Sequence, residues 1–152
     1  MRLRPIGVLR TPFVTIEECP RNGRQIDPAP LCRACVDPAF LPGLAHLEGF
    51  SHLMLLYWLG DGRGSELVVR PKFDPEPRGV FATRSPRRPN PIGLSVVAFD
   101  GFADPATLLV RYLDCVDGTP LLDIKPYLPS TDAEPAARMG WLAPHRTPRQ
   151  AG

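Results

Sequence analysis

Short runs of hydrophobic residues recur along this 152-residue chain, and proline, glycine or charged residues interrupt each of them. Short apolar runs bounded by turn-forming residues are typical of β-strands. The run at 51–59 is apolar at almost every position, which predicts a strand buried on both faces. The predicted strands are 3–10, 34–36, 51–59, 67–70, 94–99, 108–115 and 121–124. Many short strands with regular turn signals indicate an all-β barrel or sandwich.

The segments between the predicted strands are long and rich in proline. Residues 13–42 are polar and weakly periodic, which is typical of a functional or mobile connection. Turns are predicted at 60–64, 101–105 and 117–118, and short helical segments at 44–49 and 133–141. We find no βαβ alternation and no glycine-rich strand-to-helix phosphate loop, so a nucleotide-type ligand is not expected to bind in a Rossmann domain.

Length, charge and hydrophobicity exclude several classes of protein. A chain of this length is expected to form one domain with a sizeable core. Its net charge of +2 is too small for a surface that is basic throughout. No stretch approaches the roughly 20 apolar residues of a membrane span, and the N-terminal sequence lacks the apolar core of a signal peptide. We therefore expect a cytoplasmic protein whose four cysteines are reduced.

Residues 83–95, TRSPRRPNPIGLS, combine positive charge with a stiff backbone. They include Arg84, Arg87 and Arg88 together with three prolines. Proline fixes φ and keeps the preceding residue extended, so the segment should be stiff, with carbonyl groups free to accept hydrogen bonds. Gly93 allows close approach of a neighbour or a ligand. We predict a binding loop for an extended polar ligand with anionic parts; the simpler alternative is a proline-rich surface turn.

A second concentrated stretch is 117–127, DGTPLLDIKPY. Asp-Gly-Thr-Pro predicts a turn whose amides and hydroxyl point one way, and Asp117 could bind a hydroxyl pair or an amino group. Asp123 and Lys125 lie on one face of an extended segment and could form an ion pair. A ligand site and a plain hairpin turn followed by a strand both remain open.

Cysteine and histidine residues do not indicate a metal site. Cys32 and Cys35 form a CxxC pair with Cys19 upstream, but a structural zinc site needs four ligands, and Cys115 could complete one only by chance proximity. A thioredoxin-like role needs a βαβ context that this chain lacks. We predict no metal site and inert thiols in a loop. His52 is expected to be a structural, hydrogen-bonded histidine.

Three long motifs resemble those of one known family. Residues 81–95, FATRSPRRPNPIGLS, strongly resemble the hallmark of the TsaA-like (YaeB/TrmO) family. Residues 47–53, LEGFSHL, and 117–127 are similar to two further family motifs, and Ile6-Gly7-Val8 with Pro12-Phe13 is similar to its opening strand. The resemblance covers about residues 5–142, so we assign 1–142 to a TsaA-like β-barrel domain and 143–152 to a C-terminal tail.

The resemblance implies a small closed or partly open β-barrel with long proline-rich loops and one or two short helices. It implies binding of S-adenosylmethionine in a homodimer, near the subunit interface, and N6-methylation of threonylcarbamoyladenosine next to the anticodon in tRNA. Arg87 and Arg88 are assigned to the substrate, because arginine suits RNA phosphate and the threonyl carboxylate. The cofactor-binding positions carried over are Pro20, Arg21, Asn22, Gly60, Asp61, Arg84, Leu94, Asp117, Gly118, Thr119 and Pro120.

The chain departs from the family pattern at some positions. The family often has Gln in place of Asn22 and a histidine near Gly60, and its long members carry an extra C-terminal domain. An alternative is therefore an S-adenosylmethionine-binding protein of the same fold that acts on a different RNA or a small molecule, or that is not catalytic. No catalytic residue is assigned; Asp117, Asp123 and Tyr127 are the candidates for accepting the proton released on methylation.

Overall fold

The computed structural model describes residues 1–146, which form mainly β-structure. The strands are β1 (Gly7–Arg10), β2 (Cys32–Val36), β3 (His52–Trp58), β4 (Val68–Val69), β5 (Arg78–Gly79), β6 (Ile92–Asp104), β7 (Thr107–Arg111) and β8 (Pro120–Pro126). The helical segments are α1 (Pro129–Asp132) and 3-10 helices at Ile16–Glu18, Pro38–Leu44, Leu47–Gly49, Val80–Ala82 and Gly140–His145. None of the helices within residues 1–146 has the length and apolar character needed to cross a membrane.

Six strands close into an antiparallel barrel in the order β1-β2-β7-β6-β3-β8. β3 pairs with β6 along its whole length, from His52 opposite Ala98 to Trp58 opposite Ile92, and it pairs with β8 on its other side. β4 and β5 form a separate two-stranded sheet. The structure confirms the expected all-β barrel and shows that it is closed.

Alternate residues of each strand fill the barrel interior. On β3, Leu53, Leu55 and Tyr57 point inward and are at most 2% exposed, while the residues between them are half-buried. The prediction that this strand is buried on both faces is wrong, because a strand in a single closed barrel has only one interior face. The continuous apolar run therefore gives β3 an apolar outer face as well.

This outer apolar strip extends from β3 onto β6. Ile92 and Leu94 of β6 are 40% and 48% exposed. The strip consists of three outward-facing cross-strand pairs, Met54 with Val96, Leu56 with Leu94, and Trp58 with Ile92.

The ends of β6 and β7 differ from the prediction for local reasons. β6 continues through Gly101, where a turn was expected, because two bulges bend the strand without ending it. β7 ends at Arg111 instead of residue 115, because Tyr112 adopts a left-handed backbone conformation with φ of 77°. As a result, β7 pairs with β6 only from Ala98 to Asp104.

The prediction of a helix over 133–141 is wrong. α1 ends at Asp132, and the next helical residues are those of the 3-10 helix Gly140–His145. Trp141 attaches the end of this segment to the rest of the domain. Its Nε1 donates a hydrogen bond to the Ala82 carbonyl at 2.9 Å, and its ring stacks on Phe73.

Candidate functional site

A cavity of about 1290 Å³ lies beside the N-terminal half of β6. Its walls come from residues 21–25, from β6 at 94–96, from the segment after β7, and from the region between β8 and the C-terminal 3-10 helix. Arg84 of the proline-rich loop also lines it. A concave site of this size, with both apolar and polar walls, is large enough for a nucleoside-containing ligand.

An unpaired strand edge forms one wall of this cavity. Leu59 N–H donates to Pro91 O at 2.7 Å, so every second residue from Pro91 onward directs its backbone groups toward β3. Leu94 lies between these residues and therefore directs its N–H and C=O away from β3. Because β7 pairs with β6 only from Ala98 onward, the backbone groups of Leu94 face the cavity.

The loop at 21–25 is docked against the segment that follows β7. Gly23 lies so close to Tyr112 that a Cβ atom at this position would be 2.7 Å from Tyr112 Cα and closer still to its carbonyl group. The Arg24 guanidinium lies 3.6 Å from the centre of the Tyr112 ring, and its Nη2 donates to Val96 O at 3.5 Å. These contacts hold Asn22 and Arg24 at the cavity wall.

A hydrogen-bonded carboxylate, Asp114, lies at the end of the barrel and lines the cavity. The Tyr57 hydroxyl, in the barrel interior, donates to Asp114 Oδ1 at 2.7 Å. Since Tyr57 has one hydroxyl proton, the buried Ser95 hydroxyl must donate in turn to the Tyr57 oxygen, 2.7 Å away. Burial raises the pKa of Asp114, an effect opposed by the Tyr57 hydrogen bond and by the charge of Arg84.

Arg84 differs from the other two arginines of its loop. Within residues 1–146 it makes no hydrogen bond and no salt bridge, and it is exposed to the cavity. Arg87 forms a 2.6 Å salt bridge with Glu66. Arg88 Nη1 donates to the carbonyls of Thr83 at 3.0 Å and Ser85 at 3.2 Å, so this side chain braces the loop from within.

The expectation that the loop carbonyls are free is wrong for most of the loop. The stiff backbone brings them within reach of donors on the same chain, including Arg88 and the N–H of Leu59. The carbonyls that accept such hydrogen bonds are those of Thr83, Ser85, Pro86, Arg87, Asn90 and Pro91. Close approach at Gly93 is confirmed, because a Cβ atom there would lie 2.7 Å from Tyr57 Cζ and closer to other ring atoms.

Aromatic and charged residues close the C-terminal side of the cavity. Phe73 and His145 line it, with ring centres 5.2 Å apart. His145 Nε2 lies 3.4 Å from Asp74 Oδ2, and the Glu76 N–H and Arg78 guanidinium lower the pKa of Asp74 by donating to its carboxylate. The domain boundary predicted after residue 142 falls within the Gly140–His145 helix and stays a prediction; the predicted tail extends into 147–152, outside the described residues.

Comparison with known proteins identifies the family of this chain. Residues 8–133 match the model of the tRNA-methyltransferase O N-terminal domain. The chain belongs to this family. An S-adenosyl-L-methionine-binding protein of Archaeoglobus fulgidus is 42% identical over 132 residues, which cover 87% of this chain and 93% of that protein.

The family also includes longer proteins. The tRNA (adenine(37)-N6)-methyltransferase of Escherichia coli is 38% identical over 147 residues, covering 87% of this chain and 60% of that protein. A crystal structure of TrmO superposes with a TM-score of 0.76 at 39% identity, covering 92% of this chain and 63% of the TrmO chain. The present chain thus spans about three-fifths of the length of these two relatives. It spans 38% of the length of a second Archaeoglobus fulgidus relative, a probable S-adenosyl-L-methionine-binding protein.

The structure brings together some of the positions carried over from this family. Arg21, Asn22, Arg84 and Leu94 all line the cavity, although they come from three separate segments. Pro20 precedes this wall and is not among its lining residues. The remaining carried-over positions, like Arg87 and Arg88, do not line the cavity of a single chain.

The turn at Asp117–Gly118 lies at the end of β1 instead. Thr11 N–H donates to Asp117 Oδ1 at 3.1 Å, and Gly118 has a φ of 84° that favours glycine. Thr119 is buried, and its hydroxyl donates to Val116 O at 2.7 Å, while Pro120 begins β8. The predicted turn is confirmed, and in one chain it holds the barrel end together.

Gly60 and Asp61 are not among the residues that line the cavity. Gly60 lies against the side chains of Trp58 and Pro91. The exposed Asp61 accepts hydrogen bonds from the backbone and side chain of Arg63, and these contacts lower its pKa. This group lies just beyond the end of β3, next to the outer apolar strip.

The three candidates for accepting the proton differ in whether they line the cavity. Tyr127 lines the cavity, whereas Asp117 and Asp123 do not. Asp123 and Lys125 form an ion pair at 2.8 Å. His52 is hydrogen-bonded to Ser51 Oγ at 2.9 Å, as expected of a structural histidine, although it also lines the cavity.

Sequence reasoning missed Asp114, Ser95 and Tyr112. No motif marks Asp114, because it becomes a cavity residue only when Tyr112 ends β7. A positive φ at a residue other than glycine leaves no reliable trace in the sequence.

The cysteines lie in different places from those expected. Cys32 and Cys35 are on β2 and not in a loop, and burial raises the pKa of Cys32 to about 11. Burial also raises the pKa of Cys115 to about 12 and, to a smaller extent, that of Cys19. Within residues 1–146 the structure has no disulfide bond and no group of three or more side chains suited to a metal ion.

Proposed function

We propose that this protein uses S-adenosylmethionine to methylate N6 of threonylcarbamoyladenosine next to the anticodon in tRNA, in the cytoplasm. The observation that carries the proposal is the meeting, in one cavity, of the Leu94 edge and the Arg84 guanidinium, which makes no hydrogen bond or salt bridge within residues 1–146. The 38% identity to the Escherichia coli tRNA (adenine(37)-N6)-methyltransferase supports the reaction. Because the chain spans only part of that relative, the activity and substrate are proposals for this chain.

The residues of the cavity fit the cofactor. Leu94 offers a backbone N–H donor and a C=O acceptor side by side, which match the ring nitrogen and amino group on one edge of adenine. Arg84 offers a fork of donors to the carboxylate of the methionine part. Asp114 provides negative charge in the same cavity, where a cationic ligand is favoured. When bound, the sulfonium supplies the methyl group together with a good leaving group.

For the substrate, we retain the assignment of Arg87 and Arg88. Arg87 is half-exposed and held by one surface ion pair, which contributes little to stability and can exchange for a phosphate. Arg88 also braces its loop, so it is expected to act on the RNA partly by fixing the position of Arg87 and Arg84. Aligning the acceptor nitrogen with the methyl carbon can supply about 7–11 kcal/mol of the barrier.

We further propose a homodimer. The outer apolar strip on β3 and β6 is a surface of the kind that a second copy would cover. The carried-over positions at 60–61 and 117–120 lie outside the cavity of their own chain, which is expected if they complete the cavity of a neighbour. Sedimentation of wild type and of a Leu56→Asp variant would test this, with a dimer and a monomer expected respectively.

A second candidate is an S-adenosylmethionine-binding protein without methyltransferase activity. It is favoured by one observation: the Archaeoglobus fulgidus relative that matches this chain over 93% of its length carries the name of a binding protein. One experiment distinguishes the methyltransferase from the non-catalytic binding protein. The protein is incubated with S-adenosylmethionine labelled in its methyl group and with tRNA that carries threonylcarbamoyladenosine. Nucleoside mass spectrometry is expected to show the labelled N6-methyl product; binding of the donor without any product would favour the second candidate.

A further inference from the structure

Asp114 is held in place from inside the barrel. The Tyr57 hydroxyl that donates to it belongs to a side chain only 2% exposed, and Ser95, the next member of the chain of hydrogen bonds, is 8% exposed. Gly93 lets the Tyr57 ring approach the backbone of β6 more closely than any side chain would allow. Three core positions therefore serve to fix one carboxylate at the cavity wall.

This arrangement is costly for stability. The hydrogen bond to Asp114 comes from a hydroxyl and not from a cation, so burial is only partly offset and the pKa of the carboxyl is raised. Burial and the nearby Asp114 charge also raise the pKa of Tyr57, which keeps its proton on the phenol. A buried carboxylate with a raised pKa that is hydrogen-bonded in the wall of a cavity is a candidate functional group.

Among the described residues that line the cavity, Asp114 is the one carboxylate. Asp117 and Asp123 are bonded elsewhere, to Thr11 and Lys125 respectively. Tyr127 lines the cavity, but its phenol oxygen is a weaker acceptor than a carboxylate. Tyr57 donates to Oδ1 of Asp114, and the carboxylate as a whole lines the cavity, where a ligand can reach it.

We propose that Asp114 is the base that removes the proton from the acceptor nitrogen during methyl transfer, and that Tyr57 is a positioning residue for it. This inference rests on the proposed function. The acceptor nitrogen forms its bond to the methyl carbon while the carbon–sulfur bond breaks, and the electron pair of that bond stays on sulfur. The N–H proton moves to Asp114, and the product nitrogen is neutral. The carboxyl then releases the proton to water.

The test compares wild type with Asp114→Asn, which keeps the size and the acceptor for Tyr57. We expect kcat on threonylcarbamoyl-tRNA to fall about 10²–10⁴-fold, the usual contribution of a general base. Calorimetric affinity for S-adenosylhomocysteine should stay within about threefold, because the group acts in the transition state. The melting temperature should be equal to or higher than that of wild type. Asp104→Asn, at the exposed end of β6, is the matched control and should leave all three unchanged.

The pH profile gives an independent readout. The titratable or charged groups around Asp114 are Tyr57, Cys19, Cys115 and Arg84. The two thiols have raised pKa values. The rate should fall as pH falls through the raised carboxyl pKa of Asp114, and this acid limb should be absent from Asp114→Asn, which distinguishes Asp114 from the two histidines of the cavity, His52 and His145. Tyr57→Phe keeps the ring but removes the donor that lowers this pKa, so the limb should move to higher pH.

Each outcome decides between the interpretations. An Asp114→Asn enzyme with wild-type kcat overturns the inference, and so does a loss of affinity for S-adenosylhomocysteine as large as the loss of kcat, which would make Asp114 a binding group. An unmoved acid limb in Tyr57→Phe would remove the positioning role. If wild type transfers no methyl group to any tRNA, the proposed function fails and the inference falls with it.

Discussion

Substitution of Gly23 by alanine tests whether the 21–25 loop is docked as described. A Cβ atom at this position would lie 2.7 Å from Tyr112 Cα, whereas ordinary contacts begin at 3.4 Å, so the two backbones must separate by at least 0.7 Å. The clash is with backbone atoms, which cannot rotate away as a flexible side chain would. The Arg24 hydrogen bond to Val96 O is already 3.5 Å long and would be lost on such a separation.

The expected cost follows from two opposing effects. Gly→Ala at a site with open space stabilises a protein by about 0.4–1 kcal/mol, because it restricts the unfolded chain. Forced overpacking costs about 1–3 kcal/mol, and for a domain of this size each kcal/mol lowers the melting temperature by about 2–4 °C. At their midpoints the two effects leave a net cost of about 1.3 kcal/mol, so Gly23→Ala should melt about 3–5 °C below wild type, or the loop should detach and weaken S-adenosylmethionine binding.

The matched control is Gly43→Ala, because a Cβ at Gly43 meets nothing within 4 Å and its φ is not positive. This variant should be neutral or slightly stabilised. Calorimetry with S-adenosylmethionine and thermal unfolding measure both effects. A Gly23→Ala protein that equals Gly43→Ala in both melting temperature and cofactor affinity would refute the docked loop.

The remaining predictions concern a binding arginine, two thiols and a carboxylate. Arg84→Ala should weaken S-adenosylmethionine binding about 10–150-fold by calorimetry, since a charged hydrogen bond contributes about 1.5–3 kcal/mol, while Arg33→Ala should not; unchanged affinity would count against the site. Cys32 and Cys115, with pKa values raised to about 11 and about 12, should be alkylated slowly at pH 8 in the native protein and promptly in denaturant; prompt native labelling would contradict their burial. The pKa of Asp74 is lowered in the fold, so its contribution to stability is present above its unfolded pKa of about 3.9 and is lost as pH falls below it. Acid melts of Asp74→Asn should accordingly show less loss of stability in that range, and an unchanged acid limb would refute this reasoning.

The strands and the barrel could be predicted because their signals are local. The apolar runs and turn residues mark β3, β8 and the 117–118 turn, and Gly93 marks a close approach that the Tyr57 ring fills. The two faces of β3 could not be distinguished, because the outer apolar strip is as hydrophobic as the core. Only the closed topology shows which face is interior.

The site was harder to predict, since it depends on where strands stop. Leu94 offers its backbone to the cavity only because β7 ends early at Tyr112, and Asp114 reaches the wall for the same reason. Arg88 shows a second contact that the sequence does not reveal: this side chain, assigned to the substrate, also donates to two carbonyls of its own loop. Such competition between a ligand and the chain's own acceptors is decided by geometry that the sequence does not specify.

A crystal structure with S-adenosylhomocysteine would test the central claim most directly. We expect the adenine edge to pair with the backbone N–H and C=O of Leu94 and the ligand carboxylate to lie against Arg84, in the cavity beside β6. A ligand bound elsewhere, or one that leaves both Leu94 and Arg84 untouched, would contradict the assignment of this cavity as the cofactor site.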